Sequence, residues 1–422
     1  MEIVNTAATE EGTRPRTVNS RTKRLLPLLG PALVAGVAYL DPGNVASNMT
    51  AGAQFGYLLV WVVVSGNIMA WLVQYLSAKL GIVTGRSLPE LMGERLTRRW
   101  QRWLYWLQAE IVAMATDLAE IIGGAIALNL LFDLPLLAGG VITGTVSMIV
   151  LGIHSRRDTR PFERVIIAMM AIIAIGFSAG ILIHPPDAGA TVAGLLPRFE
   201  GSGSVLLAAS ILGATIMPHA IYAHSALTRD RFGLVAPGRR RRLILRATRA
   251  DVTIALAIAG SVNLVILLLA AASLQGVVGT DTLEGAHAAL EASLGPLVAT
   301  LFAIGLLASG LASTSVGAYA GAEIMHGLLR VRIPLLLRRL VTLIPALGIL
   351  WIGFDPTSAL VLSQVFLSFG IPFALIPLVI LTAQRGVLGE SVNRWYTTVA
   401  ASITAALLVA LNITLLVLLL GS

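Results

Sequence analysis

The sequence predicts an all-α, polytopic membrane protein. Hydrophobic residues make up 56% of the 422 residues, charged residues only 12%, and the mean hydropathy is +0.84. A soluble globular chain carries about twice that share of charged residues. The apolar residues are also gathered into stretches of about 20, the length at which a helix crosses the hydrocarbon core of a bilayer. We therefore expect the lipid bilayer to be the environment of most of the chain.

Eleven apolar stretches are long enough to be membrane-spanning helices, and we call them spans 1 to 11 in chain order. Their approximate bounds are 25–48, 57–80, 104–131, 135–153, 165–184, 204–227, 252–275, 297–325, 336–353, 357–384 and 396–420. The chain before span 1, residues 1–24, is polar and lacks the apolar core and cleavage site of a secretory signal. We interpret it as a cytoplasmic tail.

The basic residues predict the orientation of these spans. With the N-terminus inside, 29 of the 30 Lys and Arg residues fall in cytoplasmic segments, and only Arg198 lies outside. Cytoplasmic loops of membrane proteins carry such an excess of Lys and Arg. An odd number of spans then places the C-terminus outside the cell, and we expect the bacterial inner membrane as the location. The net charge of +8 is spread over short loops, so it does not indicate a nucleic-acid partner.

Two spans are interrupted by proline beside polar groups. Span 1 contains Asp41-Pro42-Gly43-Asn44, and span 6 contains Met217-Pro218-His219. Because the two breaks are five spans apart, they lie in helices of opposite direction. This placement predicts two inverted five-helix repeats, residues 25–184 and 204–384, with span 11 (396–420) left over. Paired broken helices of this kind mark a transport site near the middle of the membrane.

The residues at the breaks favour a divalent transition metal as the bound ion. A proline frees backbone carbonyls that lipid cannot satisfy, and the Asp41 carboxylate costs about 3 kcal/mol at the bilayer centre unless something compensates it. Asp41, Asn44 and the Ala214 carbonyl offer oxygen ligands, whereas Met217 offers a thioether, which favours transition metals over magnesium or calcium. The chain has no cysteine, so thiolate sites are excluded. The alternative is that the prolines are packing kinks and Met217 fills the core.

Four further residues are candidates for proton transfer. Asp117 and Glu120 lie three residues apart on one face of the apolar span 3, and carboxylates at such depth are typical of proton relays. Their alternative role is an internal salt bridge that only ties helices together. His219 and His224 follow the second break, and imidazole changes its charge near neutral pH. Because they are five residues apart, we do not expect them to chelate one ion together.

These motifs resemble the Nramp family of divalent metal transporters over nearly the whole chain. Beyond the two breaks, the resemblance includes Ala115-Thr116-Asp117-Leu118-Ala119-Glu120, Ala223-His224-Ser225-Ala226, Leu362-Ser363-Gln364-Val365 and Pro372-Phe373-Ala374. It implies a leucine-transporter-like fold, proton-coupled uptake of manganese, iron and related ions such as cobalt and cadmium, and no resident cofactor. No obligate protein partner is expected.

The resemblance also implies roles for single residues. The metal ligands would be Asp41, Asn44, Met217 and the Ala214 carbonyl, joined in some conformations by Gln364. A second implication is that Arg338 and Arg339 of span 9 lie near the acids of span 3; simple anchoring of the helix end on the cytoplasmic side is their alternative role.

The chain departs from the family pattern at two places. Ala220 follows the second break where many members have Asn, and Leu311 stands in span 8 where many have Gln. Neither position supplies a metal ligand in the family, so the departures concern hydration of the pathway and coupling. Magnesium-carrying relatives lack the methionine, so Met217 argues against that branch.

Three other functions fit the sequence less well. Gly176-Phe177-Ser178-Ala179-Gly180 matches a hydrolase nucleophile pattern, but that pattern needs a strand-to-helix turn and here lies inside an apolar helix, where its glycines suit helix packing. A sodium-coupled organic-solute carrier on the same fold would have little use for a methionine beside Asp41. A metal channel would not need buried titratable groups.

Overall fold

The computed structural model describes residues 30–154, 159–331 and 334–420, and every regular element in these ranges is helical. The predicted cytoplasmic tail, residues 1–24, lies outside them. Each of the eleven predicted spans coincides with one helix or one broken helix. Their bounds are Pro31–Ala38 with Pro42–Phe55, Val60–Thr84, Arg99–Phe132, Leu136–His154, Thr159–Ile183, Gly201–Ile216 with Pro218–Phe232, Arg239–Ser273, Pro296–Leu329, Leu335–Ile352, Pro356–Ala383 and Trp395–Leu420.

Some helices run beyond the apolar stretch that predicted them. Span 7 begins at Arg239 rather than near residue 252, and span 3 begins at Arg99 rather than near residue 104. Hydropathy detects only the part of a helix that meets lipid, whereas the backbone stays helical through the polar residues that follow. Short helices connect the spans, and their bounds are Leu88–Arg95, Ala188–Ala193, Leu283–Leu294 and Arg385–Leu388.

Seven helical stretches in the described ranges are long and apolar enough to cross a membrane. They are Pro42–Thr84, Arg99–Phe132, Gly201–Phe232, Arg239–Ser273, Pro296–Leu329, Pro356–Ala383 and Trp395–Leu418. Shorter apolar helices cover Leu136–Ile149 and Ile167–Ile183. The first stretch joins the second half of span 1 to span 2. The protein is therefore a multi-pass membrane protein, and the number of eleven crossings stays a prediction.

The packing of the helices follows the predicted twofold repeat. The second half of span 1 packs on span 7, and the second half of span 6 packs on span 2; span 3 packs on span 10, and span 8 packs on span 5. If spans 1 to 5 are matched in order with spans 6 to 10, the pair of spans 1 and 7 corresponds to the pair of spans 6 and 2. In the same way, the pair of spans 3 and 10 corresponds to the pair of spans 8 and 5. Spans 3 and 8, which correspond to each other, pack together over a long contact. The residues at both breaks, Asp41 and Met217, are fully buried.

Candidate functional site

The break in span 1 is satisfied by polar groups of other spans. Helix stops at Ala38 and resumes at Pro42. Asn263 Nδ2 of span 7 donates to the Tyr39 carbonyl at 2.9 Å, and Ser309 Oγ of span 8 donates to the Leu40 carbonyl. These carbonyls are the groups that the break leaves without a helical partner, so protein side chains replace the lost hydrogen bonds.

Asp41 begins the second half of span 1. Its Oδ1 accepts a hydrogen bond from the Asn44 backbone N–H at 2.9 Å, which caps that half-helix. The same oxygen accepts a second hydrogen bond from Asn44 Nδ2, also at 2.9 Å. The carboxylate is fully buried. It therefore lies at the positive end of a helix dipole, which partly offsets the cost of burying its charge.

The two breaks meet at Asn44. Its Nδ2 donates to the Ala214 carbonyl of span 6 at 2.8 Å. Ala214 lies three residues before Met217, the single residue between the two helical halves of span 6. Met217 has no exposed surface. The structure thus brings Asp41, Asn44 and the Ala214 carbonyl into contact and places Met217 at the second break, three residues after Ala214.

Gln364 of span 10 completes this group. Its Nε2 donates to Asp41 Oδ2 at 3.1 Å, and the residue is fully buried. The side-chain oxygens of Gln364 and Asn44 have no hydrogen-bond partner in the described part of the chain. Buried acceptors without a partner are costly, and a bound cation would satisfy them. The site therefore offers a carboxylate, two free amide oxygens, a peptide carbonyl and a neighbouring thioether.

Two glycines let Gln364 approach the breaks. A Cβ at Gly43 would lie 1.8 Å from Gln364 Nε2, and a Cβ at Gly213 would lie 2.0 Å from the Gln364 carbonyl oxygen. Neither glycine was among the site residues predicted from the sequence. Gly43 is part of the quoted motif, so its position was a usable signal; the approach of span 10 to Gly213 depends on tertiary packing.

The acids of span 3 and the arginines of span 9 form one group, which we call the ion cluster; it consists of Glu110, Asp117, Glu120, Arg338 and Arg339, and all but the partly exposed Glu110 are buried. Arg339 NH1 lies 2.6 Å from Asp117 Oδ1 and 3.0 Å from Glu120 Oε2. Arg338 NH2 lies 2.9 Å from Glu110 Oε1. Both arginines are buried, so they do not act as charges that simply anchor a helix end.

Glu110 was not among the site residues predicted from the sequence. It lies seven residues before Asp117, two helical turns away on the same face of span 3, and this spacing was the available signal. The cluster contains three carboxyl groups and two guanidinium groups, so with every group ionised its formal charge is −1. Arg339 is also held by Ser147 at 3.1 Å and by Thr314 at 3.3 Å.

The two candidate histidines contact different spans. His219 Nδ1 lies 3.1 Å from Thr116 Oγ1 of span 3, next to Asp117 in the chain. His224 Nδ1 lies 2.8 Å from Gln74 Oε1 of span 2, and both line a small cavity with Tyr39. His219 therefore lies between the second break and the ion cluster, whereas His224 lies near Tyr39 of the first break.

Comparison with known proteins places the chain in a family. The family model described as "Natural resistance-associated macrophage protein-like", Nramp, matches residues 32–418. A divalent metal cation transporter, MntH, of Mycobacterium tuberculosis is 59% identical over 389 residues, which are 92% of this chain and 91% of that protein. MntH of Deinococcus radiodurans is 47% identical over 411 residues, 96% of this chain and 92% of that protein.

Solved structures agree with the fold. The Eremococcus coleocola manganese transporter, as its H236A mutant, superposes with a TM-score of 0.84 at 31% identity, covering 94% of this chain and 87% of that one. MhsT in complex with L-phenylalanine superposes with a TM-score of 0.59 at 13% identity, covering 93% of this chain and 97% of that one, and shows the fold alone. The predicted leucine-transporter-like fold is confirmed, and an enzyme is excluded. The chain belongs to the Nramp family of membrane transporters.

Proposed function

We propose that this transporter takes up divalent transition-metal ions, manganese foremost, across the bacterial inner membrane together with protons. The observation that carries the proposal is the buried Asp41 carboxylate between two helix breaks, beside two amide oxygens without partners in the described residues. The M. tuberculosis and D. radiodurans relatives are named divalent metal cation transporters, and the E. coleocola structure is of a manganese transporter. Iron, cobalt and cadmium are further proposed substrates.

The proposed ligands have separate roles. Asp41 supplies the fixed negative charge that offsets dehydration of a dication. The side-chain oxygens of Asn44 and Gln364 have no other partner in the described part of the chain, and the Ala214 carbonyl becomes a ligand when Asn44 Nδ2 releases it. Met217 supplies a thioether sulfur, a soft donor, whereas magnesium and calcium prefer oxygen ligands. This donor set supports selection of transition metals over the more abundant hard cations.

The proposed proton path runs through span 3. The ion cluster has one more carboxyl group than guanidinium groups, so one acid can hold and release a proton while each arginine keeps a carboxylate partner. Asp117 and Glu120 share Arg339 and are the proposed carriers. His219, in contact with Thr116, links these acids to the second break, and His224 is a second proposed relay.

Transport is proposed to proceed by alternating access, with the N-terminus inside and the C-terminus outside. In this structure the metal ligands have no exposed surface, so the site is closed to both sides. On the arginine-rich side, Tyr222 of span 6 contacts Tyr105 of span 3 at 3.1 Å, and Arg229 of span 6 pairs with Glu323 of span 8 at 3.0 Å. We infer that these contacts must part for the ion to leave inward.

Metal flux into liposomes tests this proposal. Purified protein is placed in vesicles containing a manganese indicator and a pH dye, with sodium replaced by potassium outside. We expect manganese entry with acidification inside and no requirement for sodium. Uptake that requires sodium, or metal entry without any proton movement, would contradict the coupling proposed here and favour a sodium-coupled carrier or a channel.

Met217→Ala tests the metal selectivity. Water can replace sulfur for a hard ion while the oxygen ligands remain, so manganese transport should persist. Calcium should then compete better against manganese, and cadmium, the softest ion, should lose most. The matched control is Met325→Ala, which removes a buried methionine near the C-terminal end of span 8. Asp41→Ala should abolish uptake. Unchanged competition in Met217→Ala would make Met217 a packing residue.

A further inference from the structure

The surface of the bundle carries an apolar groove where span 3 begins. Its volume is about 770 Å³. Three of its wall residues are unusually exposed for their size, since Trp100, Trp103 and Leu104 have exposed fractions of 55%, 45% and 58%. The Trp103 and Trp106 rings meet edge to face, with centroids 5.2 Å apart. The complete lining is Arg99, Trp100, Trp103, Leu104, Trp106 and Leu107.

A strip of positive charge borders this groove. Arg95, Arg98, Arg99 and Arg102 lie within eight residues, and the sequence contains no acid from there to Glu110. Arg102 is engaged by the Leu96 carbonyl at 2.6 Å. Within residues 30–154, 159–331 and 334–420, the exposed guanidinium groups of Arg98 and Arg99 make no hydrogen bond or ion pair. They are therefore available to an anion from outside the chain.

The backbone adds to this charge. Span 3 begins at Arg99 with Arg98 as its N-cap, and the N-cap side chain makes no hydrogen bond to the first turn. The free N–H groups of an uncapped first turn carry the positive end of the helix dipole. An anion held by Arg98 and Arg99 would lie near this first turn, next to the groove that Arg99 lines.

We propose that this groove binds one anionic phospholipid. Its phosphate lies against Arg98, Arg99 and the first turn of span 3, and its acyl chains lie along Trp100, Trp103 and Leu104. Tryptophan and arginine together mark the headgroup level of a membrane, and basic clusters there recognise anionic lipids. A free phosphate would use the arginines but gain nothing from the apolar wall. The groove thus offers positive charge to the phosphate of a phospholipid and an apolar surface to its acyl chains.

Lipid titration followed by native mass spectrometry tests the proposal on the whole protein. The probes are phosphatidylglycerol and phosphatidylcholine with identical acyl chains. Wild type should bind phosphatidylglycerol more tightly. Arg98→Gln with Arg99→Gln should weaken that binding about 25-fold, since each surface charge contributes about fivefold, and leave phosphatidylcholine binding unchanged. Trp103→Ala should weaken both lipids equally, because it removes the wall and keeps the charges.

The matched control removes two charges elsewhere on the arginine-rich side. Arg239 and Arg240 are exposed at the start of span 7, where no tryptophan lines the surface pocket. Substituting both by Gln should leave the binding of phosphatidylglycerol unchanged. Three results would each overturn the proposal: equal affinity of wild type for both lipids, an equal loss in the control variant, or unchanged lipid binding in Trp103→Ala. The last would show that the acyl chains do not lie in the groove.

Discussion

Replacing Asp117 by Asn tests whether the surplus acid of the ion cluster carries the proton. The substitution removes one of three carboxyl groups and keeps both guanidinium groups, so the formal charge of the cluster changes from −1 to 0. Arg339 keeps Glu120 at 3.0 Å, and Arg338 keeps Glu110 at 2.9 Å. Each arginine therefore retains a carboxylate, and the bundle should still fold.

The expected loss of stability is small. The 2.6 Å contact between Arg339 and Asp117 becomes a hydrogen bond to a neutral amide. Hydrogen bonds to charged groups contribute about 1 kcal/mol more than neutral ones, so we expect a loss of about that size. Arg339→Met should cost much more, about 3–5 kcal/mol, because it leaves the buried acids Asp117 and Glu120 without their shared arginine. Adding Glu120→Gln to Arg339→Met restores the charge of −1 and should recover part of that loss.

Three measurements are made on each variant: the unfolding temperature, manganese affinity by calorimetry, and metal and proton flux in liposomes. Asp117→Asn should keep the wild-type metal affinity, because Asp117 is not a proposed ligand, while the dependence of uptake on pH and voltage becomes flatter. Glu120→Gln should behave in the same way. Normal coupling in both variants would leave these acids as structural groups and move the proton role to Asp41. Equal unfolding temperatures for Asp117→Asn and Arg339→Met would contradict the argument that the cluster has one carboxyl group more than its arginines need.

Three further predictions concern the breaks and the topology. Gly43→Ala should displace Gln364 from Asp41 and lower metal affinity as much as Gln364→Ala does, with no additional loss in the double variant; Gly348→Ala, with open space around it, is the control. Asn263→Ala leaves the Tyr39 carbonyl unpaired and should cost about 1–3 kcal/mol in thermal unfolding, whereas the exposed Ser293→Ala should change little. Tags at the two termini should be protected from protease on opposite sides of oriented vesicles, and protection on the same side would contradict eleven crossings.

The breaks could be predicted because their signals are local. Proline cannot continue a helix, and Asp41 is costly in lipid, so each marks its own position whatever the surrounding fold. The spans could be predicted for the same reason, since an apolar stretch of about 20 residues is recognisable from the local sequence alone. Their ends could not, because the start of span 7 at Arg239 depends on helix continuing beyond the membrane.

The contacts between distant residues could not be derived in this way. Only the family resemblance, not spacing, placed Gln364 of span 10 at the first break, and the approach of Gly213 to it was not predicted. Glu110 carries a residue type and spacing that match Asp117, but its importance depends on Arg338 lying opposite, 228 residues later in the chain. The alternative role of Arg338 and Arg339 as anchoring charges was reasonable from the sequence, because their burial is decided by the packing of span 9 against span 3.

Span 3 contacts both breaks, which gives a physical route between the proposed metal site and the proposed proton carriers. A Cβ at Gly123 would lie 2.1 Å from Pro42 Cβ, so span 3 packs tightly on the first break. Thr116 contacts His219 just after the second break. The ion-cluster acids Asp117 and Glu120 lie between these two contacts on the same helix. Because packed interiors do not deform freely, a shift of either break on metal binding must be accommodated at span 3, where the arginines hold the acids. Coupling would then require no direct contact between the metal and the proton-carrying acids.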